Sequence, residues 1–380
     1  MKFVLAPDKF KGSLTGLEFC EAVEEGIRKV FPTAVIIKKP LADGGDGTME
    51  VVKDYLNAHE IKVQVKDPLF RDIEATYLFS KRRKIAFIEM SEASGHRLLK
   101  PAELNCMDTT SLGTGQLIAD ALDRGAHEII LGIGGSATND GGMGMAHALG
   151  YRFLDHNGNT INPIGGNLEK VKRIVSDTLH KGLAQTKVRV ACDVDNPFYG
   201  PNGAAYVYGP QKGATVEEVV FLDKGLRTFS TAIKNHFGLD VQRIPGAGAA
   251  GGLGGGAMAF LNASLISGIG FIKEIADFDA VIRDANWIIT GEGKLDSQTL
   301  SGKTIAGVLE SAMKQRTDVA AICGIIDLSI SEQETLGITY TTSILRNFQT
   351  LEEAMGSSYE NLVIAAFNFC KVLKKDMSLY

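Results

Sequence analysis

Apolar runs that alternate with helical patterns at both ends of the chain constrain the fold more than any other feature. The apolar segments 3–6 and 34–38 are each followed by a polar loop and then by residues with helical spacing. The same order returns from Trp287 onward. Such alternation is typical of a parallel sheet covered by helices. The middle of the chain instead has successive β-rich runs, at 61–65, 75–79 and 85–90.

This break in the pattern predicts two domains. The chain has 380 residues, and a single hydrophobic core usually stops growing near about 250–300 residues. We therefore predict an α/β protein in which residues 1–64 and 283–380 together form an open, parallel, doubly wound, Rossmann-like sheet. Residues 65–282 are predicted to form an inserted mixed α/β domain. Within that domain, the apolar runs 188–192 and 204–208 are interpreted as strands.

Composition excludes several classes of partner. The net charge of −5 leaves no excess of Lys and Arg to neutralise a polyanion, so no nucleic-acid partner is expected. Five cysteines without a C-x-x-C pair predict reduced thiols and a cytoplasmic protein. The uncharged segment 246–272 has the length of a membrane span, but nine of its residues are glycine, so no membrane partner is expected either. Composition leaves a homo-oligomer open.

Glycine is over-represented, at 43 of 380 residues, and it clusters in loops. The segment 132–137 follows a strand, is predicted to open a helix, and is followed by a second strand that ends in Asp155. It matches the dinucleotide fingerprint, which makes an NAD-dependent dehydrogenase an alternative. Its hydroxyls and free amides at a helix start would equally attract phosphate. Segment 246–251 matches the same fingerprint weakly, and 301–304 lacks the first glycine of a P-loop, because Ser297 stands there.

Polar, acidic loops follow the apolar strands. Segments 8–13, 43–48 and 291–296 come directly after strands of the predicted terminal sheet, where ligands of open α/β sheets bind. In the middle of the chain, Asp193 and Asp195 follow another strand, and carboxylate pairs of this kind commonly hold Mg²⁺ beside a nucleotide. A capped loop is the competing interpretation of that pair. Lys212 lies in a further glycine-flanked loop and would offset phosphate charge.

Seven motifs, in order along nearly the whole chain, resemble those of the bacterial glycerate kinases. They are APDKFKGS (6–13), LADGGDGT (41–48), GIGGSATNDGG (132–142), CDVDNP (192–197), GPQKGA (209–214), PGAGAAGG (245–252) and GEGKLDSQ (291–298). The resemblance implies a two-domain α/β enzyme that transfers the γ-phosphoryl group of ATP to the 2-hydroxyl of D-glycerate, with Mg²⁺, giving 2-phosphoglycerate and ADP. Phosphorylation at O3 and a non-catalytic sugar-acid binding protein are the remaining alternatives. Lys294 stands where the family often has Arg, so a bidentate clamp is lost there.

Residue roles follow as predictions. The predicted catalytic residues are Asp193, Asp43 and Lys11, with Asp193 or Asp43 accepting the hydroxyl proton. The predicted Mg²⁺ ligands are Asp193 and Asp195. The predicted nucleotide contacts are Gly134, Gly135, Ser136, Ala137, Thr138, Asn139, Asp140, Gln211 and Lys212. The predicted glycerate contacts are Asp8, Lys9, Ser13, Glu292, Lys294 and Asp296, with Lys9 or Lys11 meeting the carboxylate. Loops of both domains are expected to share one closing cleft.

Overall fold

The computed structural model describes residues 1–42, 47–296 and 304–377. The strands are β1 (Lys2–Leu5), β2 (Val35–Lys38), β3 (His59–Lys66), β4 (Asp72–Ser80), β5 (Ile85–Glu89), β6 (Glu128–Gly132), β7 (Arg152–Leu154), β8 (Arg173–Val175), β9 (Lys187–Ala191), β10 (Ser264–Ile266), β11 (Trp287–Thr290), β12 (Lys294–Leu295), β13 (Asp318–Cys323), β14 (Ile325–Ile326) and β15 (Tyr340–Ser343). The helices are α1 (Gly16–Arg28), α2 (Thr48–Leu56), α3 (Ser91–Ser94), α4 (Leu112–Asp123), α5 (Met143–Ala148), α6 (Ala204–Tyr208), α7 (Val216–Phe237), α8 (Leu253–Leu261), α9 (Gly268–Ile275), α10 (Phe278–Val281), α11 (Thr304–Gln315), α12 (Ile330–Leu336), α13 (Leu351–Gly356) and α14 (Ser358–Met377).

The predicted α/β class, with parallel sheets and helices, is confirmed. Internal contacts divide the chain into two compact units. The terminal unit contains Met1–Tyr55 together with the chain from Gly268 onward, and the middle unit is Leu56–Ser267. The domain limits predicted at 64 and 282 therefore lie elsewhere in the chain than these divisions. The predicted limit at 64 falls within strand β3, and the predicted limit at 282 assigns α9 and α10 to the middle domain, whereas the contacts place them in the terminal unit.

The terminal unit is built on a five-stranded parallel sheet with the order β15-β13-β11-β1-β2. Strand β1 lies between β2 and β11, with Phe3 opposite both Ile36 and Trp287. The pattern Thr15-x-x-Glu18 predicts a capping box at the start of α1. The structure has it, because Thr15 Oγ1 accepts the Glu18 amide and the Glu18 carboxylate accepts the Thr15 amide. Helices α1 and α14 pack together over the sheet, and their apolar faces form the core of this unit with β1.

The middle unit is built on a mixed six-stranded sheet with the order β10-β9-β6-β5-β4-β3. Strands β10, β9, β6 and β5 are parallel, whereas β4 and β3 are antiparallel to their neighbours. Strands β7 and β8 form a separate antiparallel pair. The core of this unit contains the aromatic cluster Tyr151, Phe153, Phe229 and Phe260, whose neighbouring ring centroids are 5.0–6.0 Å apart.

One prediction about local structure is wrong. The apolar run 204–208 is helix α6 rather than a strand, and Gly203 and Gly209 bound it on either side. A five-residue apolar run between glycines fits a buried helical turn as well as a strand, so its periodicity could not decide. Segment 246–272 is divided among a glycine loop, α8, β10 and α9. Among the described residues, the helices are all too short or too polar to cross a bilayer. The five cysteines form no disulfide in the structure, and only Cys192 among them is partly exposed.

Candidate active site

Three parallel strands of the middle unit end at one edge of its sheet. Glu89 at the end of β5 and Ala191 at the end of β9 both pair with Gly132 at the end of β6. The segments that follow these strands, 90–95, 133–142 and 192–197, therefore begin side by side. Ligands of α/β sheets bind beside the carboxyl ends of the strands. The structure thus brings together two of the predicted motifs at the expected edge.

The loop formed by residues 134–140 does not run directly into a helix, contrary to the prediction. Helix α5 begins at Met143, after Gly141 and Gly142, whose φ angles are +61° and +75°. These left-handed conformations interrupt the right-handed path, so the helix can begin only beyond them. Because α5 has six residues, the attraction of this loop for an anion must come from its own donors and from nearby charge rather than from a helix dipole.

The 134–140 loop is anchored by the buried carboxylate of Asp140. It accepts the amide and hydroxyl of Ser111 at 2.8 and 2.7 Å, and the amides of Gly142 and Gly144, both at 3.1 Å. Burial raises the pKa of this carboxyl, and the four hydrogen bonds oppose that shift by stabilising the ionised form. Asp140 therefore holds the loop in shape, and its predicted contact with a nucleotide stays a prediction.

A buried cation lies against the same loop. The Lys212 side chain is 2% exposed, and its Nζ donates to Ser136 Oγ and to the Thr138 carbonyl oxygen, each at 2.7 Å. Desolvation lowers the pKa of Lys212 to about 8, whereas Cys106 and Asp140 favour its charged form. Within the described residues, Lys212 makes no ion pair with a carboxylate. The hydrogen-bond acceptors of its ammonium group within the described residues are therefore neutral oxygens.

Several polar atoms of the loop have no hydrogen-bond partner within the part of the chain that the structure describes. Thr138 Oγ1 and the Nδ2 and Oδ1 atoms of Asn139 are buried without a hydrogen-bond partner among the described residues, and both residues are 0% exposed. The backbone amides of the buried residues Ser136 and Thr138 likewise have no acceptor among the described residues. A buried polar group without a partner costs about 1–3 kcal/mol, so these atoms favour a bound group or ordered water.

The glycine segment 246–252 lies against two of these loops. The Gly251 carbonyl accepts the Gly141 amide at 3.0 Å, and the Gly248 amide donates to the Asn196 carbonyl at 2.9 Å. A Cβ at Gly251 would lie 2.0 Å from the Thr138 carbonyl oxygen, and one at Gly248 would lie 2.1 Å from that of Pro197. The weak dinucleotide match in this segment thus has a packing reason, because only glycine permits backbones to approach this closely.

Asp193 and Asp195 are exposed in the segment after β9. Cys192 precedes them, and burial raises the pKa of its thiol, which donates to the Val194 carbonyl at 3.4 Å. The described residues contain no cluster of three or more His, Cys, Asp or Glu side chains that would form a metal cage. Mg²⁺ usually keeps several waters and binds one or two carboxylates together with phosphate oxygens. The donor chemistry of the two aspartates fits an ion of that kind. Gln211 is exposed beside the buried Lys212.

The terminal unit brings two of its predicted loops together. The strand order reverses at β1, and there the Ala6 amide donates to the Ile289 carbonyl at 2.8 Å and the Asp8 amide to the Gly291 carbonyl at 2.9 Å. The Asp8 carboxylate accepts the Lys9 amide at 2.7 Å and the Thr304 hydroxyl at 2.5 Å. Such a reversal point is the ordinary ligand position of an open α/β sheet.

The remaining predicted residues of the terminal unit have varied surroundings. Lys11 is exposed, whereas the Ser13 hydroxyl donates to the Met355 carbonyl at 2.9 Å. Lys294 Nζ lies 3.2 Å from Asp296 Oδ2 and 3.0 Å from Asp327 Oδ2, and these carboxylates, Asp327 foremost, raise the pKa of Lys294. The charge of Lys294 is therefore already balanced within its own unit.

The loop that contains the predicted catalytic residue Asp43 lies outside the described residues. The description resumes at Gly47, with φ +89°, and a Cβ there would lie 3.0 Å from Lys9 Cδ. The Lys9 side chain therefore lies against Gly47. The Glu292 carbonyl accepts the Gly324 amide at 3.1 Å, which fixes the backbone of the neighbouring loop.

Comparison with known proteins agrees with these motifs. The model of the "Glycerate kinase family" matches residues 3–374. The chain belongs to this family. It is 45% identical over 369 residues to a glycerate kinase of Halalkalibacterium halodurans, covering 97% of each chain. It is 42% identical over 377 residues to the glycerate 2-kinase of Escherichia coli K12, covering 99% of each. The crystal structure of "putative glycerate kinase 2" from Salmonella typhimurium LT2 superposes with a TM-score of 0.90 at 41% identity, covering 100% of this chain and 99% of the other.

Family membership does not favour the dehydrogenase alternative. The arrangement of the strand after the glycine loop also disagrees with it. A dinucleotide fold needs the strand after the glycine loop to lie parallel in the same sheet. Strand β7, which precedes Asp155, instead pairs antiparallel with β8 outside the six-stranded sheet. The Asp155 carboxylate accepts the amides of Asn159 and Asn157 at 2.9 and 2.8 Å, and these bonds lower its pKa. Asp155 therefore closes a turn.

Sequence reasoning missed the residues that support the 134–140 loop from outside it. Ser111 binds Asp140, the Thr109 hydroxyl donates to the Ala137 carbonyl at 2.9 Å, and the Ala137 amide donates to the Ser94 carbonyl at 2.9 Å. His96 contacts the Gly135 carbonyl through its amide and Nδ1, both at 3.0 Å. The sequence contained one signal of this support, because the polar run Thr109-Thr110-Ser111 stands immediately before the apolar helix α4. In the structure, all three of these residues are 0% exposed.

Proposed function

We propose that this protein is an ATP-dependent glycerate 2-kinase, which converts D-glycerate and ATP to 2-phosphoglycerate and ADP. Membership of the glycerate kinase family supports the reaction class. The Escherichia coli relative, at 42% identity over 99% of both chains, carries the name glycerate 2-kinase and favours the 2-hydroxyl as the acceptor. Phosphorylation at O3 is the competing outcome.

The observation that carries the proposal is that the buried ammonium group of Lys212, which makes no ion pair among the described residues, lies against the 134–140 loop. Several hydrogen-bond donors of that loop have no acceptor among the described residues. Lys212 and the free amides of the 134–140 loop form a compact positive region at the carboxyl edge of a sheet. Preorganised donors and cations around transferred phosphoryl groups supply most of the catalysis in such enzymes. We assign the phosphates of ATP to this loop, with Gln211 beside it.

The reaction needs one bond to form and one to break. The 2-hydroxyl oxygen of glycerate bonds to the γ-phosphorus, the bond from that phosphorus to the bridging oxygen breaks, and ADP leaves with the bridging electron pair. Asp193 or Asp43 accepts the hydroxyl proton. Mg²⁺, held by Asp193 and Asp195 together with phosphate oxygens, would neutralise charge on the transferred group.

The terminal unit supplies the proposed glycerate contacts. Asp8, Lys9 and Glu292 lie in the loops at its strand-order reversal, which supports a substrate role for them. Lys11 is the best candidate for the glycerate carboxylate, because it is exposed and Lys294 is already paired. Ser13 and Asp296 are assigned to the same group. We further infer that the terminal unit is a doubly wound, Rossmann-like domain, that the middle unit is an insertion, and that the protein is cytoplasmic.

The decisive experiment is incubation with ATP, Mg²⁺ and D-glycerate, followed by phosphorus NMR of the product. A 2-phosphoglycerate signal that requires all three components supports the proposal. A 3-phosphoglycerate signal would overturn the regiochemistry. Glycerate binding without ATP turnover would identify a binding protein, and enhanced NADH fluorescence would revive the dehydrogenase alternative.

A further inference from the structure

Lys212 is placed differently from a lysine that reaches out to a phosphate. Its ammonium group is almost completely buried and already donates to the Ser136 hydroxyl and the Thr138 carbonyl. Nζ also lies 5.9 Å from the centre of the Tyr208 ring. Two of its three N–H groups are thus committed to the 134–140 loop before any ligand binds.

The backbone that carries Lys212 is itself fixed. Lys212 ends the 3₁₀ turn Pro210–Lys212, and its carbonyl accepts the Cys106 amide at 3.1 Å. The next residue, Gly213, has φ +88°, and a Cβ there would lie 2.0 Å from the Leu104 carbonyl oxygen. The side chain therefore starts from a backbone held in place on both sides, and its tip is held by Ser136 and Thr138.

The ionisable groups around Lys212 leave its charge in place. Asp140 is the buried carboxylate that acts on it, but both oxygens of Asp140 already accept hydrogen bonds. Cys106, from the segment beside the 3₁₀ turn, has a thiol whose pKa is raised to about 11 by burial, so it is neutral at physiological pH. Burial likewise raises the pKa of Tyr208. A bound phosphate would be the strongest counter-charge available.

We infer that Lys212 is a positioning residue of the 134–140 loop: its ammonium holds Ser136 and Thr138 so that the loop amides stay available to the phosphates of a nucleotide. This inference rests on the proposed function for the identity of the anion. Phosphate binding and protonation of Lys212 favour one another, because each stabilises the charge distribution that the other needs. Nucleotide binding then takes up a proton at mildly alkaline pH.

The test is titration calorimetry of the full chain with MgADP at pH 8.5, in two buffers with different heats of ionisation. The wild type should take up a fraction of a proton on binding. Lys212→Met should bind about 10- to 100-fold more weakly and should lose that proton uptake. Lys224→Met is the matched control, because Lys224 is an exposed lysine of the same unit paired with Glu169, and it should change neither quantity. Unchanged affinity and proton uptake in Lys212→Met would overturn the inference.

A double-mutant cycle separates positioning from direct contact. If Lys212 acts through the loop, Ser136→Ala weakens MgADP binding in the wild type but adds nothing to Lys212→Met. Fully multiplicative losses would mean that Lys212 contacts phosphate independently, which overturns the inference. If Lys212→Met fails to fold, the decision passes to Ser136→Ala, whose unchanged affinity and proton uptake would also overturn it.

The measurement is independent of glycerate turnover. A wild type that binds MgADP with coupled proton uptake but does not phosphorylate glycerate would overturn the proposed function and support the role of Lys212. A wild type that phosphorylates glycerate, with proton uptake that Lys212→Met leaves unaltered, would support the proposed function and overturn the role of Lys212. In the active enzyme, the same variant should raise the KM for ATP more than it lowers kcat, with a matching loss of the alkaline limb in the pH profile.

Discussion

Lys212 and Lys294 both lie in glycine-flanked loops with predicted ligands, but their surroundings are opposite. Lys212, in the middle unit, is 2% exposed and donates to two neutral oxygens. Lys294, in the terminal unit, has a side chain that is 50% exposed and is paired with the carboxylates of Asp296 and Asp327. The sequence presents them as equivalent cations, and only the fold distinguishes them.

The difference shows which of the two loops is built to attract an anion. A cation balanced by two carboxylates contributes little field beyond its own loop, and water and salt screen what remains. A cation buried among neutral acceptors keeps its field, because the low-dielectric surroundings do not screen it. The field of Lys212 therefore favours an anion at the middle loop, whereas Lys294, Asp296 and Asp327 pair with one another in the terminal unit.

Removing the anchor of the middle loop should have the largest effect. Asp140→Ala leaves four buried donors without their acceptor and should lower the free energy of unfolding by about 2–5 kcal/mol. Urea unfolding of both proteins measures this. Asp155→Ala is the matched control, since Asp155 also accepts backbone amides but in an exposed turn, and its loss should be clearly smaller. Equal losses would mean that the Asp140 network does not anchor the loop.

Exchange of Asp193 tests whether the chemistry belongs to the same edge of the sheet. Asp193→Asn should lower kcat by at least about 10²-fold, because a positioned carboxylate is lost as base or Mg²⁺ ligand. The side chain is exposed, so the melting temperature should not change. Asp195→Asn, the neighbouring exposed carboxylate, should instead raise the Mg²⁺ concentration needed for half-maximal rate. Full activity of Asp193→Asn would remove this residue from the reaction.

The pH dependence of stability sharpens the contrast at Lys212. Its pKa is about 8 in the folded protein against an ordinary value of 10.5, so the unfolded chain binds more protons between these values. Stability therefore rises with pH there, by about 2 kcal/mol between pH 8 and 10 from this group alone. Buried thiols act in the opposite direction. The difference between the pH profiles of the wild type and Lys212→Met, from chemical unfolding, isolates this contribution and should be positive.

The smallest effect is expected at Lys294. Lys294→Met should change the KM for glycerate within about twofold, because its charge is already neutralised by Asp296 and Asp327. Steady-state kinetics at low ionic strength gives the result. Lys11→Met, the exposed lysine assigned to the glycerate carboxylate, should raise that KM more strongly. A larger effect at Lys294 would reverse the proposed assignment of these two lysines.

Periodicity and capping were sufficient to predict some elements of the terminal unit, including β1, β2 and α1. The Thr15-x-x-Glu18 pattern located the start of α1, because a capping box is formed by local residues alone. The helix 204–208 was missed, since a short apolar run between glycines has no periodicity of its own. The start of α5 was missed because consecutive left-handed glycines cannot be recognised from residue type.

The position of several predicted residues at the sheet edges followed from the sequence, whereas the surroundings of their side chains did not. Segments that follow strands could be assigned to the sheet edge, so Asp8, Asp193 and the 134–140 loop were named in advance. Burial depends on contacts between distant segments. It was therefore not foreseeable that Asp140 would bind Ser111, or that Lys212 would be covered while Gln211 stays exposed. The need for glycine at position 251 could not be foreseen either, because it arises from the close approach of the Gly251 backbone to the Thr138 carbonyl.

The position of β1 between β2 and β11 has a consequence for biosynthesis. The Lys2 amide donates to the side chain of Asn286, which lies 284 residues later in the chain. On the ribosome, β1 and β2 emerge before β11, the strand on the other side of β1, which follows only after the whole middle unit has been translated. The middle unit can therefore complete its own sheet before β1 has paired with β11. One edge of β1 therefore stays unpaired during synthesis for as long as the middle unit is being made.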